Sequence, residues 1–238
     1  MEKRASAQRI DRVARETLQL DFSMVAPPRL EFQSGQFITV RAGEGPNANR
    51  AYSIASTADR SDGFELVVKL LDGGAASSLL GGLRPGDTLD FTGPRGFFTL
   101  LAEHPGDVVF AVTGVGLAAA FPLLVETLRR GQEHGRVLFF WGLRTEADLF
   151  WTGRLAELAT HARLEQHVCL SQPDAGWPGV QGRITEPILA ALPGLVAPTF
   201  YAVGNGSMTQ ALTTALVARG VDRRKQIRTE QFYPVEEP

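Results

Sequence analysis

An all-β domain followed by an α/β domain is the fold class this sequence predicts, and two rhythms carry that expectation. Up to about residue 100 the chain runs in short apolar or alternating stretches. QFITVRA, FELVVKLL and DTLDFTG lie between segments rich in Gly, Pro, Asn and Asp. Strands without long intervening helices build an antiparallel barrel or sandwich. After Ala102 the punctuation EHPGD introduces the second rhythm. The β runs VVFAVT, VLFFWG, HVCLSQ and TFYAVG alternate with LAAAFPLLVETLRR, LFWTGRLAELATHA, ITEPILAALPG and SMTQALTTALVARG, each long enough for a helix. That alternation predicts a parallel sheet with helices on both faces. The boundary falls near residues 102 to 106, giving domains of 1–102 and 106–238.

Composition bounds the function classes. A chain of 238 residues, 44% hydrophobic and 21% charged, can bury one large core or two modest ones. Its formal charge of -2 supplies no cationic field for a nucleic acid. Arg129 and Arg130 precede Gly131 as a helix end does, and Arg223, Arg224 and Lys225 form the other short basic cluster. The single cysteine, Cys169, excludes an intrachain disulfide and an all-cysteine iron-sulfur cluster within this chain. The four histidines show no two-cysteine or HExxH spacing, so no metal site is expected. The polar start MEKRASAQRIDR lacks the apolar core of a secretory signal, and no run reaches the length of a membrane span. A soluble, cytoplasmic protein is expected.

The segment VVFAVTGVGLAAAFPLLVETLRR holds a strand, a glycine loop and an apolar helix in that order. Gly114, Gly116 and Ala119 fit the pattern G-x-G-x-x-G/A. Gly114 permits the tight turn, Gly116 lets backbone approach a pyrophosphate, and Ala119 allows close packing of helix on strand. Free N–H groups and the positive dipole end of the helix attract phosphate there. Small residues also occur at ordinary strand-to-helix turns, but the position at the first such turn of an alternating α/β domain favours a Rossmann-like dinucleotide site. The acid expected some twenty residues on is missing. The second strand ends in Leu143, Arg144 and Thr145 instead, and Arg144 can face a 2'-phosphate or stand as a solvated loop arginine.

In the first domain Arg50, Ala51, Tyr52 and Ser53 follow a Gly/Pro/Asn loop. Arg50 can grip phosphate bidentately, Tyr52 can pack on a flat heterocycle, and Ser53 can hydrogen-bond a ring nitrogen. The same residues also suit a strand start with one exposed arginine. Gly74, Ala75, Ala76 and Ser77 lie in a run of small residues that opens a short helix. Backbone N–H groups and the Ser77 hydroxyl can bind a second phosphate, or Ser77 can be an ordinary N-cap.

Taken in order, these pieces resemble the ferredoxin reductase-like family of flavin and nicotinamide enzymes across nearly the whole chain. RAYS at Arg50–Ser53 is similar to the family's R-x-Y-S flavin motif, GGAASS to its pyrophosphate loop, and GPRGFF to the turn closing its flavin barrel. TGVGLAA is similar to the nicotinamide-phosphate loop, with WGLRTEADLFW and LSQP following the next two strands. VGNGSM is similar to the C-G-x-x-x-M element, and the ending carries an acid and aromatics, Glu230, Phe232 and Tyr233. The resemblance implies an antiparallel FAD-binding barrel and an NAD(P)-binding domain, with tightly bound FAD and NADH or NADPH as co-substrate. It implies that Arg50 binds FAD phosphate, that Tyr52 covers the isoalloxazine, and that Ser53 lies near N5. Val68 and the Gly74–Ser77 loop join them on the flavin side. Thr113, Gly114, Val115, Gly116, Arg144, Ser171, Gln172, Gly204, Asn205 and Met208 would serve the dinucleotide. Phe232 or Tyr233 can stack on flavin, or anchor the C-terminus on the core. Ser53 and Glu230 are the candidate catalytic residues.

Three departures stand out. Val115 replaces the family's usual threonine, Ala119 its proline, and Val203 a cysteine carried by many relatives. Valine packs but offers no polarizable thiol, so slower hydride transfer is expected. Gln172 follows Ser171 where NADPH-selective relatives place an arginine, which favours NADH, whereas Arg144 argues for NADPH. Three functions are compatible with these residues. The first is an FAD-containing reductase passing electrons to a separate carrier, such as ferredoxin or flavodoxin, or to a partner oxygenase. The second is a reductase of free flavin or ferric chelates, against which the GGAASS grip on a second phosphate argues. The third is a nucleotide-binding electron-transfer or regulatory subunit of a larger complex.

Overall fold

The computed structural model describes residues 2–45, 48–102, 106–130 and 135–232. The chain divides into two compact units, Met1–Leu100 with Phe121–Leu123, and Leu101–Ala120 with Leu124–Pro238.

In the first unit six strands form one antiparallel sheet: β1 (Lys3–Ala14), β2 (Thr17–Ala26), β3 (Phe37–Arg41), β4 (Asn49–Ser53), β5 (Gly63–Lys69) and β6 (Thr88–Arg95). Their order is β4-β3-β6-β1-β2-β5. Just past β4, Ile54 bridges Leu66 of β5, and the Ala55 N–H donates to the Glu65 carbonyl at 2.8 Å. The two outer strands of that order therefore meet, and the sheet curls on itself as a barrel. Phe64 sits at the centre of its core, stacked on Phe22 at 5.1 Å and edge-on to Phe91 at 5.2 Å. The two longest strands, β1 and β2, lie in a stretch the sequence pattern left unread. β1 presents Lys3, Arg4, Arg9, Asp11 and Arg12 and buries only Ala5 and Ala7, which is too little apolar content for a strand signal. Pairing supplies what propensity lacks: Arg4 stands opposite Asp90 of β6 and donates to it at 2.7 Å. A seven-residue helix, α1 (Ala75–Gly81), follows β5.

The second unit carries a parallel sheet of β7 (Val108–Thr113), β8 (Val137–Leu143), β9 (Leu164–Leu170), β10 (Val180–Gln181), β11 (Thr199–Asn205) and β12 (Ile227–Phe232). The helices are α2 (Leu117–Arg129), α3 (Thr152–Ala159), α4 (Thr185–Ala191), α5 (Gly206–Val217) and the single turn α6 (Arg223–Gln226). Every residue from Val108 to Val112 is fully buried, as in a strand covered on both faces. The buried Tyr201 hydroxyl accepts from the Leu101 N–H at 2.9 Å, and burial pushes its phenol up to about 12. At the base, the buried Asp107 carboxylate accepts from the Arg136 and Val196 N–H groups at 2.8 and 2.9 Å.

Two elements differ from the pattern. The third parallel strand ends at Leu170, so Ser171 and Gln172 belong to the loop beyond it. The helix expected from Leu149 begins only at Thr152, because Trp151 takes a left-handed conformation (φ 54°) at its N-cap. The strand order β10-β9-β8-β7-β11-β12 reverses direction between β7 and β11. Open α/β sheets bind ligands at the carboxyl ends of the strands flanking such a reversal.

Candidate functional site

The glycine loop stands at that reversal. Thr113 ends β7, Gly114–Gly116 form one 3-10 turn, and α2 begins at Leu117. Gly114 has φ +55°, and a Cβ placed on it would meet nothing within 4 Å. The turn and the open approach both belong to this residue. Gly116 is also tightly seated against β11: a Cβ there would meet the Val203 carbonyl oxygen at 2.8 Å and the Gly204 Cα at 3.1 Å, so lacking a side chain lets the loop pack closely on that strand. Ala119 is fully buried, as close helix packing requires.

The same strand end locks the loop from the side. Gly204 has φ +124°, and a Cβ on it would lie 2.3 Å from Thr113 Oγ1 and 2.5 Å from the Thr113 carbonyl oxygen. The Asn205 N–H donates to Thr113 Oγ1 at 2.9 Å, while Asn205 Oδ1 caps α5 by accepting from Ser207 N and Met208 N. Met208 itself packs on the apolar core of the second unit. Val203 is wholly buried in β11, so replacement of cysteine by valine there is first a matter of packing.

Arg144 and Gln172, which pointed in opposite directions on nucleotide choice, form one unit. Arg144 Nε donates to Gln172 Oε1 at 2.9 Å, and the Gln172 N–H donates to the Arg144 carbonyl at 2.8 Å. The Ser171 N–H donates to the Leu143 carbonyl at 3.0 Å, so the loops beyond β8 and β9 are zipped together. All three side chains are exposed.

On the first unit, Arg50 and Tyr52 lie two residues apart on β4 and share a face. Arg50 is exposed and donates to the Asn49 carbonyl at 3.0 Å. Tyr52 packs half-buried on the barrel core; burial raises its phenol pKa, and the Arg50 charge opposes that rise. Ala51 and Ser53 alternate to the other face, with Ser53 only 6% exposed. Val68 is 2% exposed within the barrel core. Its side chain therefore fills the barrel, and only its backbone remains to meet a ligand. Ser77 is not an N-cap: α1 is capped at Gly74 without a side-chain bond. Its Oγ instead accepts from the Leu71 N–H at 2.8 Å, closing the Leu71–Ser77 loop while its own hydrogen stays able to donate. Ala75 is exposed and Ala76 buried. Glu230 and Phe232 lie half-buried on β12, Glu230 in register with Val203. Tyr233 lies outside the described residues.

The family model described as an oxidoreductase FAD-binding domain matches residues 5–100, and that of an oxidoreductase NAD-binding domain matches 110–214. Ferredoxin--NADP reductase B of Sorangium cellulosum is 32% identical over 225 residues, covering 90% of this chain and 91% of that protein. The chain belongs to the ferredoxin reductase-like family of FAD- and NAD(P)-binding oxidoreductases. The reductase component of phenol 2-monooxygenase from Pseudomonas sp. (strain CF600) is 31% identical over 86% of the chain, which spans 58% of that protein's length. The crystal structure of the Amycolatopsis reductase GcoB matches with a TM-score of 0.88 at 30% identity, covering 98% of this chain and 70% of that one.

The residues present fit the two groups that define this ferredoxin reductase-like family. Gly114 leaves open the space a Cβ would fill at the head of α2, which suits a pyrophosphate. β4 sets a guanidinium beside a phenol on one face, which suits a phosphate joined to a flat ring system. Sequence reasoning missed Trp141. It is fully buried on β8, and its Nε1 donates to the Gly114 carbonyl at 3.0 Å. The signal available was the indole in VLFFWG: a buried tryptophan needs an acceptor for its N–H.

Proposed function

We propose that this chain is an FAD-dependent reductase that takes hydride from NADH or NADPH and passes electrons to a separate acceptor protein. That acceptor is a ferredoxin, a flavodoxin or the oxygenase of a multicomponent system. One observation carries the proposal: the glycine loop stands at the strand-order reversal of an NAD-binding domain that follows an FAD-binding domain in the same chain. Similarity to ferredoxin--NADP reductase B and to the phenol 2-monooxygenase reductase component supports a protein acceptor. We take residues 1–102 as the flavin domain and 106–238 as the nucleotide domain. A cytoplasmic location is in keeping with the single cysteine.

Bound FAD and nicotinamide supply the hydride and electron chemistry; this chain binds, places and tunes them. Arg50 grips flavin phosphate, and the Gly74–Ser77 loop offers N–H groups and the Ser77 hydroxyl to it. Tyr52 lays its ring against the flavin, while Ala51 and Val68 contribute backbone. Ser53 offers its hydroxyl to N5. In the second unit Thr113–Gly116 receives the nucleotide pyrophosphate, and the Arg144–Gln172 pair with Ser171 receives the adenosine ribose end. Gly204, Asn205 and Met208 would shape the nicotinamide end, and Glu230 would orient its amide, with Phe232 beside it on β12. Holding two reactants in line removes much of the entropic barrier to transfer.

The test is an anaerobic absorbance scan of the purified protein, mixed in turn with NADH and NADPH. A flavin spectrum bleached by at least one nucleotide is the expected result. A flavin spectrum that neither nucleotide bleaches, or no flavin at all, refutes the assignment.

A further inference from the structure

Behind the glycine loop lies a set of aromatic rings that the proposed function does not use. Trp141, on β8, is fully buried, and its indole donates to the Gly114 carbonyl at 3.0 Å. The same carbonyl accepts from the Leu117 N–H at the start of α2. Two donors from the protein side thus hold one peptide plane. A trans peptide is planar, and its C=O and N–H point in opposite directions. With the Gly114 oxygen held toward the buried indole, the Val115 N–H of the same peptide points the opposite way, and a Cβ on the adjoining Gly114 would meet nothing within 4 Å. Val115 lies in the first turn of the helical segment, where N–H groups have no partner within the helix.

The indole is itself braced. Phe150 meets the Trp141 ring edge-on, with centroids 5.2 Å apart and planes at 90°. Trp151 meets Phe150 edge-on at 5.6 Å, and Arg154 stands over the Trp151 ring at 4.4 Å. Trp151 pays for this seat with a left-handed backbone at φ 54°. Such a conformation persists in a bulky residue only where the surroundings over-determine it.

We propose that Trp141, braced by Phe150 and Trp151, is a positioning residue for nucleotide binding. Its indole N–H sets the Gly114–Val115 peptide so that the Val115 N–H faces the dinucleotide pyrophosphate. The proposal rests on the assignment of the glycine loop to the dinucleotide. Phenylalanine at position 141 keeps the ring but removes the donor.

The experiment measures NAD+ and NADP+ affinity by titration calorimetry on flavin-loaded wild type and Trp141→Phe, together with steady-state KM and kcat for the reduced nucleotide. Trp141→Phe should weaken nucleotide binding roughly 3- to 10-fold, the range for one neutral hydrogen bond. KM should rise in parallel, with kcat and flavin content unchanged. Equal affinity of variant and wild type overturns the proposal, as does a fall in kcat with KM unchanged. Wild type that binds neither nucleotide overturns the glycine-loop assignment itself. Should the variant fail to fold, the wild-type protein still decides the matter through its tryptophan indole 1H–15N signals, each identified by replacing one of the other tryptophans. The Trp141 signal should be slow to exchange with solvent and should shift when nucleotide is added; a fast-exchanging or unmoved signal overturns the proposal.

Discussion

The barrel strand β4 and the glycine loop hold their candidate ligands by opposite means. On β4 the groups proposed to meet a ligand are side chains, an exposed arginine and a half-buried phenol on one face, set out by strand alternation. In the loop the groups proposed to make contact are backbone, and the supports act from behind: the Trp141 indole on the Gly114 carbonyl, the Asn205 N–H on the Thr113 hydroxyl, and Gly204 by having no side chain at all. A strand can exchange one side chain and keep its geometry. A backbone site fails as a whole when its supports move, because each N–H is aimed by the peptide plane it belongs to. Mutational sensitivity should therefore sit on the ligand-facing surface in the first unit and in the buried layer in the second.

Gly204→Ala is the severest way to break that contrast. The new Cβ would lie 2.3 Å from Thr113 Oγ1, at φ +124°. A loss of about 2–4 kcal/mol of stability is expected, readable by denaturant unfolding, along with loss of nucleotide binding. Tolerance of alanine there would mean that the β7–β11 contact is loose and that the loop is not supported from β11. Arg50→Ala tests the other side. Loss of one charge-assisted contact, about 1.5–3 kcal/mol, should lower FAD affinity roughly 10- to 100-fold. The unfolding midpoint of the flavin-free protein should stay where it was; unchanged flavin occupancy would remove Arg50 from the phosphate site.

The smallest effect separates the two tyrosines. Burial raises the phenol of Tyr201 to about 12, and that of Tyr52 less far. A phenol with a raised folded-state pKa lends stability that is fully present below its ordinary value near 10, and that is lost as pH climbs through the folded value. Unfolding free energy should thus decline between about pH 10 and 12. Tyr201→Phe should flatten that decline more than Tyr52→Phe, and equal slopes would show that Tyr201 is no more enclosed than Tyr52.

Much of the second unit was legible because its strands are buried on both faces and read as unbroken apolar runs. VVFAVT matches β7 residue for residue. The first unit was harder. β1 hides its pairing in polar residues, and a polar strand is stabilised by partners a sequence window does not contain; β2, with Leu18, Leu20, Phe22 and Met24 alternating, carried a period-2 signal that sequence reasoning missed. The C-terminal strand β12, IRTEQF, escaped for the same reason as β1.

The sequence by itself determined the two-domain order, the glycine loop at the first strand-to-helix turn, and the placing of Arg50 and Tyr52 two residues apart on one strand. Periodicity and local turn chemistry are short-range properties that a linear string carries. Tertiary structure alone decided that Gly116 serves β11, that Val68 fills the barrel, and that Arg144 and Gln172 act as one pair. It also decided that a tryptophan twenty-seven residues away holds the Gly114 carbonyl. Each of these depends on which strands lie side by side, and strand order is set by packing across the whole sheet rather than by any neighbouring residues.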